Sequence, residues 1–163
     1  MAEELERGGV ETETVHVGSK DIRGCIACRK CKATGRCVFD DIVNELAPKF
    51  EQADGLVVGS PVYFAGPNGT LTNLLDRLFY SAAYPLRMKV GAAVVSARRA
   101  GTTAALDRLN KYFQLAEMPV ASSRYWNMVH GNSPFLVRAI AAERERGGLP
   151  EVDAVRINTN FIR

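Results

Sequence analysis

A three-layer α/β fold built on a parallel sheet is the arrangement this sequence predicts, and two observations predict it. Gly55-Leu56-Val57-Val58-Gly59-Ser60 and Val90 to Ser96 are short, almost wholly apolar runs, the signature of strands covered on both faces. Beside them lie two segments, Asn68 to Ala83 and Thr102 to Met118, whose leucines and aromatics return at helical spacing. Strands alternating with helices of that length pack into helix, sheet and helix layers.

Taken in order, Val10 to Val17 sets Val10, Val15 and Val17 among Thr and Glu, which predicts a strand near a sheet edge. A long connection follows it. Asp40 or Asp41 caps a helix in which Ile42, Leu46 and Phe50 recur every four residues, with Val43 and Ala47 beside them. Pro48 falls inside that pattern and should bend the helix or free a backbone carbonyl. The apolar run at 55–60 ends at Pro61. In the next helix Leu71, Leu74, Leu75, Leu78, Phe79 and Ala82 recur at helical spacing, the leucines mainly as core. Leu106, Leu109 and Phe113 share one face of the helix after Val90 to Ser96. Pro119 to Ser123 predicts a short strand and Phe135 to Arg146 a helix, which Gly147-Gly148-Leu149-Pro150 breaks; Val152 to Ile162 fits either type. Residues 1–163 are expected to form a single domain.

The chain has 163 residues, 47% apolar and 24% charged, enough for one full hydrophobic core. Its formal charge is +3, and its basic residues alternate with Glu and Asp, which speaks against a nucleic-acid tract. The start, Met1-Ala2-Glu3-Glu4-Leu5-Glu6-Arg7, is strongly charged, with neither a secretory core nor a run long enough to span a bilayer. The expectation is a cytoplasmic protein with no nucleic-acid or membrane partner.

Four cysteines, Cys25, Cys28, Cys31 and Cys37, are the only ones in the chain, separated by two, two and five residues. In reducing cytosol such a run reads as a metal site or redox thiols before it reads as disulfides. Four thiolates in one short segment can wrap a [4Fe–4S] cluster. The same sulfurs can hold tetrahedral zinc, although structural zinc more often draws on two separated knuckles, and bare redox thiols are the third reading. Arg29, Lys30, Lys32 and Arg36 surround the run and either offset its negative charge or form a solvated face.

In open parallel sheets ligands bind beyond the carboxyl ends of the strands. Two loops at that edge carry suitable chemistry. Pro61-Val62-Tyr63-Phe64-Ala65-Gly66-Pro67-Asn68 offers two aromatics, two rigid prolines and a glycine where backbone can approach a ring. Ser96-Ala97-Arg98-Arg99-Ala100-Gly101-Thr102-Thr103 brings guanidinium groups, hydroxyls and a helix N-terminus, which favour an anionic or electron-rich ligand. No Ser–His–Asp set, phosphate-binding G-x-x-x-x-G-K-[S/T] loop or histidine-rich site is present, and no acid–base residue stands out. His16 reads as an outward strand residue and His130 as a local hydrogen-bonding group.

The cysteine run resembles the flavodoxin-like NADPH-dependent FMN reductases, in their iron–sulfur flavoprotein branch. So do Gly59-Ser60-Pro61-Val62-Tyr63-Phe64 followed by Leu71-Thr72-Asn73-Leu74-Leu75-Asp76-Arg77, the loop Ser96 to Thr103, and Tyr125-Trp126-Asn127-Met128-Val129-His130-Gly131. The resemblance covers roughly Leu5 to Gly131. It implies a flavodoxin-like sandwich with FMN at a homodimer or higher homo-oligomer interface. The site it implies takes Ser60, Pro61, Val62, Tyr63, Phe64 and Asn68 from one loop and Ser96, Arg98, Arg99, Gly101 and Thr102 from the other. It further implies a [4Fe–4S] cluster on Cys25, Cys28, Cys31 and Cys37 in the loop at 23–40, passing electrons between FMN, NAD(P)H or another donor, and a small redox protein or small-molecule acceptor. Alternatives are a flavin-dependent dehydrogenase of a specific small molecule, and a non-catalytic metal-binding or interaction protein without FMN. Against the family pattern, the chain opens at the end of the first helix, Met1 to Arg7 closed by Gly8-Gly9. The first central strand and its phosphate loop are lacking, either because residues precede this chain or because a shortened protein closes the gap differently. From His130 on, Asn132-Ser133-Pro134-Phe135 and Gly147-Gly148 do not carry the acidic segment expected before the last helix, although Arg156 to Arg163 resembles its end.

Overall fold

The structure, a computed structural model, describes residues 1–123 and 126–130. The helix expected at 135–146, the breaker at 147–150, the segment 152–162, and Tyr125 and Gly131 of the last motif lie outside the described residues. Nine elements follow one another: helices α1 (Ala2–Arg7), α2 (Lys30–Thr34) and α3 (Ile42–Gln52), strands β1 (Gly55–Tyr63) and β2 (Gly66–Pro67), helix α4 (Gly69–Ser81), strand β3 (Val90–Ala97), helix α5 (Thr102–Leu115) and strand β4 (Met128–His130). The sheet order is β2-β1-β3-β4. The β1–β3 and β3–β4 pairs are parallel and only the two-residue β2 runs antiparallel.

Side chains alternate between faces along a strand, and burial follows that alternation. Val58 and Ser60 of β1, with Ala93, Val95 and Ala97 of β3, are buried beneath α3, α4 and α5. The helical face is sealed by an aromatic chain: Phe50 of α3 meets Phe79 of α4 at 5.7 Å, and Phe79 meets Tyr112 and Phe113 of α5 at 5.5 and 6.4 Å. Leu75, Leu78, Leu109 and Phe113 are almost fully buried here; each contributes about 2 kcal/mol of hydrophobic stabilisation. On the other face Val57 is 46% exposed and Val90 47% exposed. Among the described residues the fold therefore has two layers, and the third expected layer is not formed by them.

The caps match the sequence. Asp41 accepts a hydrogen bond from the Val43 amide at the start of α3, and Asn68 accepts from the Thr70 and Leu71 amides at the start of α4. Helix α3 runs on through Pro48. Strand β1 continues through Pro61 to Tyr63, and Pro61 is tolerated because β1 has no partner on its outer side there among the described residues. Among the described residues that outer edge has no strand partner from Gly55 to Pro61.

Two strand expectations are corrected. Val10 to Val17 is not a strand: it joins no ladder among the described residues, and most of its side chains are exposed. Pro119 to Ser123 shrinks to one isolated bridge, Val120 with Gly91. Beyond that bridge the edge of β3 pairs with β4, at Val95, Ser96 and Ala97. No helix among the described residues is long and apolar enough to cross a membrane.

Candidate metal centre and adjoining sheet edge

All four cysteines line one cleft of about 370 Å³, together with Ile26, Val38, Phe39, Arg77 and Tyr80. The thiols are free; Cys25 and Cys28 are exposed, Cys31 and Cys37 half-buried. The segment reaches this shape through left-handed backbone at Ala27 (φ 53°), Arg29 (φ 59°) and Gly35 (φ 65°). Arg29 and Gly35 bracket the single turn α2, which carries Cys31. Two amide or guanidinium N–H groups point at sulfur. The Ala27 amide donates to Cys25 Sγ at 3.4 Å and Arg77 Nε donates to Cys37 Sγ at 3.2 Å. The Cys31 thiol donates to the Tyr80 carbonyl at 3.5 Å.

Cys37 is held most firmly. Asn44, on the buried side of α3, accepts from the Cys37 amide at 2.9 Å and donates to the Cys37 and Phe39 carbonyls at 3.1 and 3.0 Å. Arg77, only 2% exposed, forms a bidentate ion pair with Asp41 and also donates to the Arg23 and Phe39 carbonyls. Burial works against the Arg77 charge, but the hydrogen bonds to Asp41 and Cys37 outweigh it and leave the guanidinium pKa above its ordinary value. At the rim, hydrogen bonds from Arg36 and Asn44 hold the Asp40 carboxyl below the usual carboxylate range.

The donor set fits an iron–sulfur cluster. Four free thiols face one cleft, with N–H groups already aimed at two of them and cationic side chains around the segment, the surroundings that stabilise anionic sulfur ligands. Among the described residues no three Cys, His, Asp or Glu side chains gather where one metal ion would sit. Four thiolates around one cleft can give each iron of a cluster its own sulfur ligand, and the same donor number serves a single tetrahedral zinc ion.

The second set of sequence-selected residues meets at the carboxyl edge of the sheet. Pro61 pairs with Ser96, and Ser96 with Val129, across β1, β3 and β4. Phe64 and Ala65 form the two-residue hairpin between β1 and β2, both at positive φ (48° and 59°). Such backbone costs a non-glycine residue about 1 kcal/mol, and it leaves Phe64 fully exposed and Tyr63 58% exposed. Gly101 (φ +98°) presses against this hairpin; a Cβ there would lie 2.9 Å from Ala65 Cα. Only glycine satisfies both demands, and it locks the 98–102 loop to the 61–65 loop. Arg98 and Arg99 are exposed beside the start of α5, which has no side-chain cap.

Ser60 and Thr102 are buried, and Ser60 is used locally: its hydroxyl donates to the Pro61 carbonyl and accepts from the Asn68 amide. With Asn68 capping α4, these residues shape the loop from within. The cysteine cleft and this edge lie toward opposite ends of α4. From Asn68 to Tyr80 the helix advances about 18 Å at 1.5 Å per residue.

Asn44, Arg77 and Asp41 were not selected as site residues from the sequence. A signal existed: Asn73, Arg77 and Ser81 recur every four residues on α4, a polar stripe beside its leucines. In the fold that stripe faces the cysteine segment, Asn73 donating to the Ile22 carbonyl at 2.9 Å.

Residues 1–157 match the family model of the NADPH-dependent FMN reductases. An iron–sulfur flavoprotein of Methanocaldococcus jannaschii is 36% identical over 69% of this chain and 60% of its own length. One of Methanosarcina thermophila is 33% identical over 69% of this chain and 61% of its own length. The chain thus spans about 60% of the length of these relatives. Among solved structures, a flavodoxin, WrbA-like protein from Agrobacterium tumefaciens overlaps 61% of this chain and 71% of its own, with 19% identity and a TM-score of 0.47. The chain belongs to the NADPH-dependent FMN reductase family, on the branch whose curated relatives are iron–sulfur flavoproteins.

Proposed function

We propose that this protein is an FMN-dependent oxidoreductase or electron carrier in which Cys25, Cys28, Cys31 and Cys37 hold a [4Fe–4S] cluster. The observation that carries the reading is the single cleft lined by all four thiols, closed by a buried arginine that donates to one of them. When bound, FMN supplies exchange between two-electron and one-electron chemistry and the cluster supplies one-electron storage.

The chain's own groups bind and orient. Pro61, Val62, Tyr63 and Phe64 offer an apolar, aromatic wall for a flavin ring, shaped from behind by Ser60 and Asn68. Ser96, Arg98, Arg99, Gly101 and Thr102 bring hydroxyl, guanidinium and backbone groups to the same edge, suited to the anionic parts of FMN or NAD(P)H. No protein acid is required, since hydride transfer between stacked rings depends on proximity and orientation. Arg23, Arg29, Lys30, Lys32 and Arg36 around exposed Ile26, Val38 and Tyr80 make the cleft mouth a surface for a small acidic redox protein. The length of α4 between cleft and sheet edge favours exchange between neighbouring chains of a homodimer or higher homo-oligomer.

Adding the protein, kept free of oxygen, to FMN tests the flavin half. Saturable quenching of flavin fluorescence, followed by bleaching of the bound flavin with NADPH or NADH, is the expected result. Flavin fluorescence that stays unquenched at every protein concentration contradicts it.

A further inference from the structure

Arg77 satisfies an unusual number of groups at once. Its five N–H donors reach five acceptors: Cys37 Sγ through Nε, the Arg23 carbonyl and Asp41 Oδ2 through Nη1, and the Phe39 carbonyl and Asp41 Oδ1 through Nη2. Arg23 precedes the first cysteine and Phe39 follows the last, so the guanidinium clasps both ends of the cysteine segment. Its plane also lies over the Phe39 ring, 5.0 Å from the centroid. An arginine needed only to join α3 to α4 would be served by Asp41 alone. The remaining donors are spent on the segment that carries the thiols, and one on a sulfur.

We propose that Arg77 is a positioning residue of the cysteine site, which fixes the Cys37 sulfur and favours electron uptake by a cluster bound there. The assignment rests on the cluster reading above. Electron uptake makes the cluster and its thiolates one charge more negative, and no bond forms or breaks. A buried N–H donor and its positive charge stabilise the more negative state, because hydrogen bonds to sulfur ligands and local charge set cluster potentials. Cys25 and Cys28 are exposed and Cys31 is half-buried, and none of the three has such a side-chain clamp among the described residues.

The test is a reductive titration of the anaerobic protein with dithionite, followed by electron paramagnetic resonance, in wild type and R77K. Lysine keeps the charge but has no Nε–H. The expected result is a cluster potential lowered by about tenfold in the reduction equilibrium, about 59 mV for one electron, at unchanged iron content. A loaded R77K protein with the wild-type potential overturns the assignment. A second measurement needs no change at position 77. In an R23K/R29K/R36K protein, which removes the exposed arginines of the segment, [15N]arginine labelling should give a nitrogen coupling to the reduced cluster. A loaded protein without that coupling also overturns the assignment. Wild-type protein that binds no iron and sulfide overturns the cluster reading itself, which separates the two failures.

Discussion

Replacing Asp41 with alanine is expected to cost about 4 kcal/mol of stability, the sum of a broken ion pair and a lost cap, read as a lower urea midpoint at constant slope. Arg77 is 2% exposed, and the two Asp41 oxygens accept from Nη1 at 2.6 Å and Nη2 at 2.8 Å. Removing one partner of a buried pair costs about 3–5 kcal/mol, because the other charge is left uncompensated. Asp41 keeps 24% of its side chain exposed, so the low end applies. Its carboxylate also accepts from the Val43 amide at 3.1 Å, and losing an N-cap adds about 1 kcal/mol. Asp41→Asn retains the cap and one acceptor for the guanidinium, so its loss should be about half as large. A loss below about 1 kcal/mol in Asp41→Ala, no more than the cap alone, would mean that the pair contributes nothing.

Gly91→Ala is expected to destabilise the sheet by about 3 kcal/mol, at the upper end of overpacking costs. A Cβ at this position would lie 2.4 Å from Phe113 Cγ, 2.6 Å from Cδ1 and 2.9 Å from Cδ2. Neither side can yield easily. Phe113 is fully buried, and the Gly91 backbone is held by its amide donating to Pro119 and its carbonyl accepting from Ala121, both at 2.8 Å. Combining Gly91→Ala with Phe113→Leu should recover part of the loss, since residues in contact are not additive. Equal stability of Gly91→Ala and wild type in urea denaturation would contradict this packing.

The parts of the fold legible in the sequence are those with a strong local period. The leucines of α4, the Ile42–Leu46–Phe50 stripe of α3 and the apolar runs of β1 and β3 bury themselves whatever surrounds them. Val10 to Val17 has the alternation of a strand, but a strand exists only through its partner, and the local pattern cannot supply one. The turn α2 is too short to show a period; it is set by left-handed backbone at Arg29 and Gly35. Strand β4 is three residues long and is recognisable only through its pairing with Val95, Ser96 and Ala97. At the site, the cysteines and the 61–68 and 96–103 loops were visible as motifs. The site roles of Arg77, Asn44 and Asp41 were not, because they rest on partners up to 54 residues away in the chain.

The most direct measurement is the iron and acid-labile sulfide content of protein purified without oxygen, beside its Cys31→Ser variant. Serine can keep the hydrogen bond that Cys31 donates to the Tyr80 carbonyl, so the variant removes a ligand with little disturbance of the segment. Four thiolates around one cleft predict about four irons and four sulfides per chain, with most of both lost in Cys31→Ser. Zinc in place of iron, no metal at all, or the same iron content in both proteins would contradict the account.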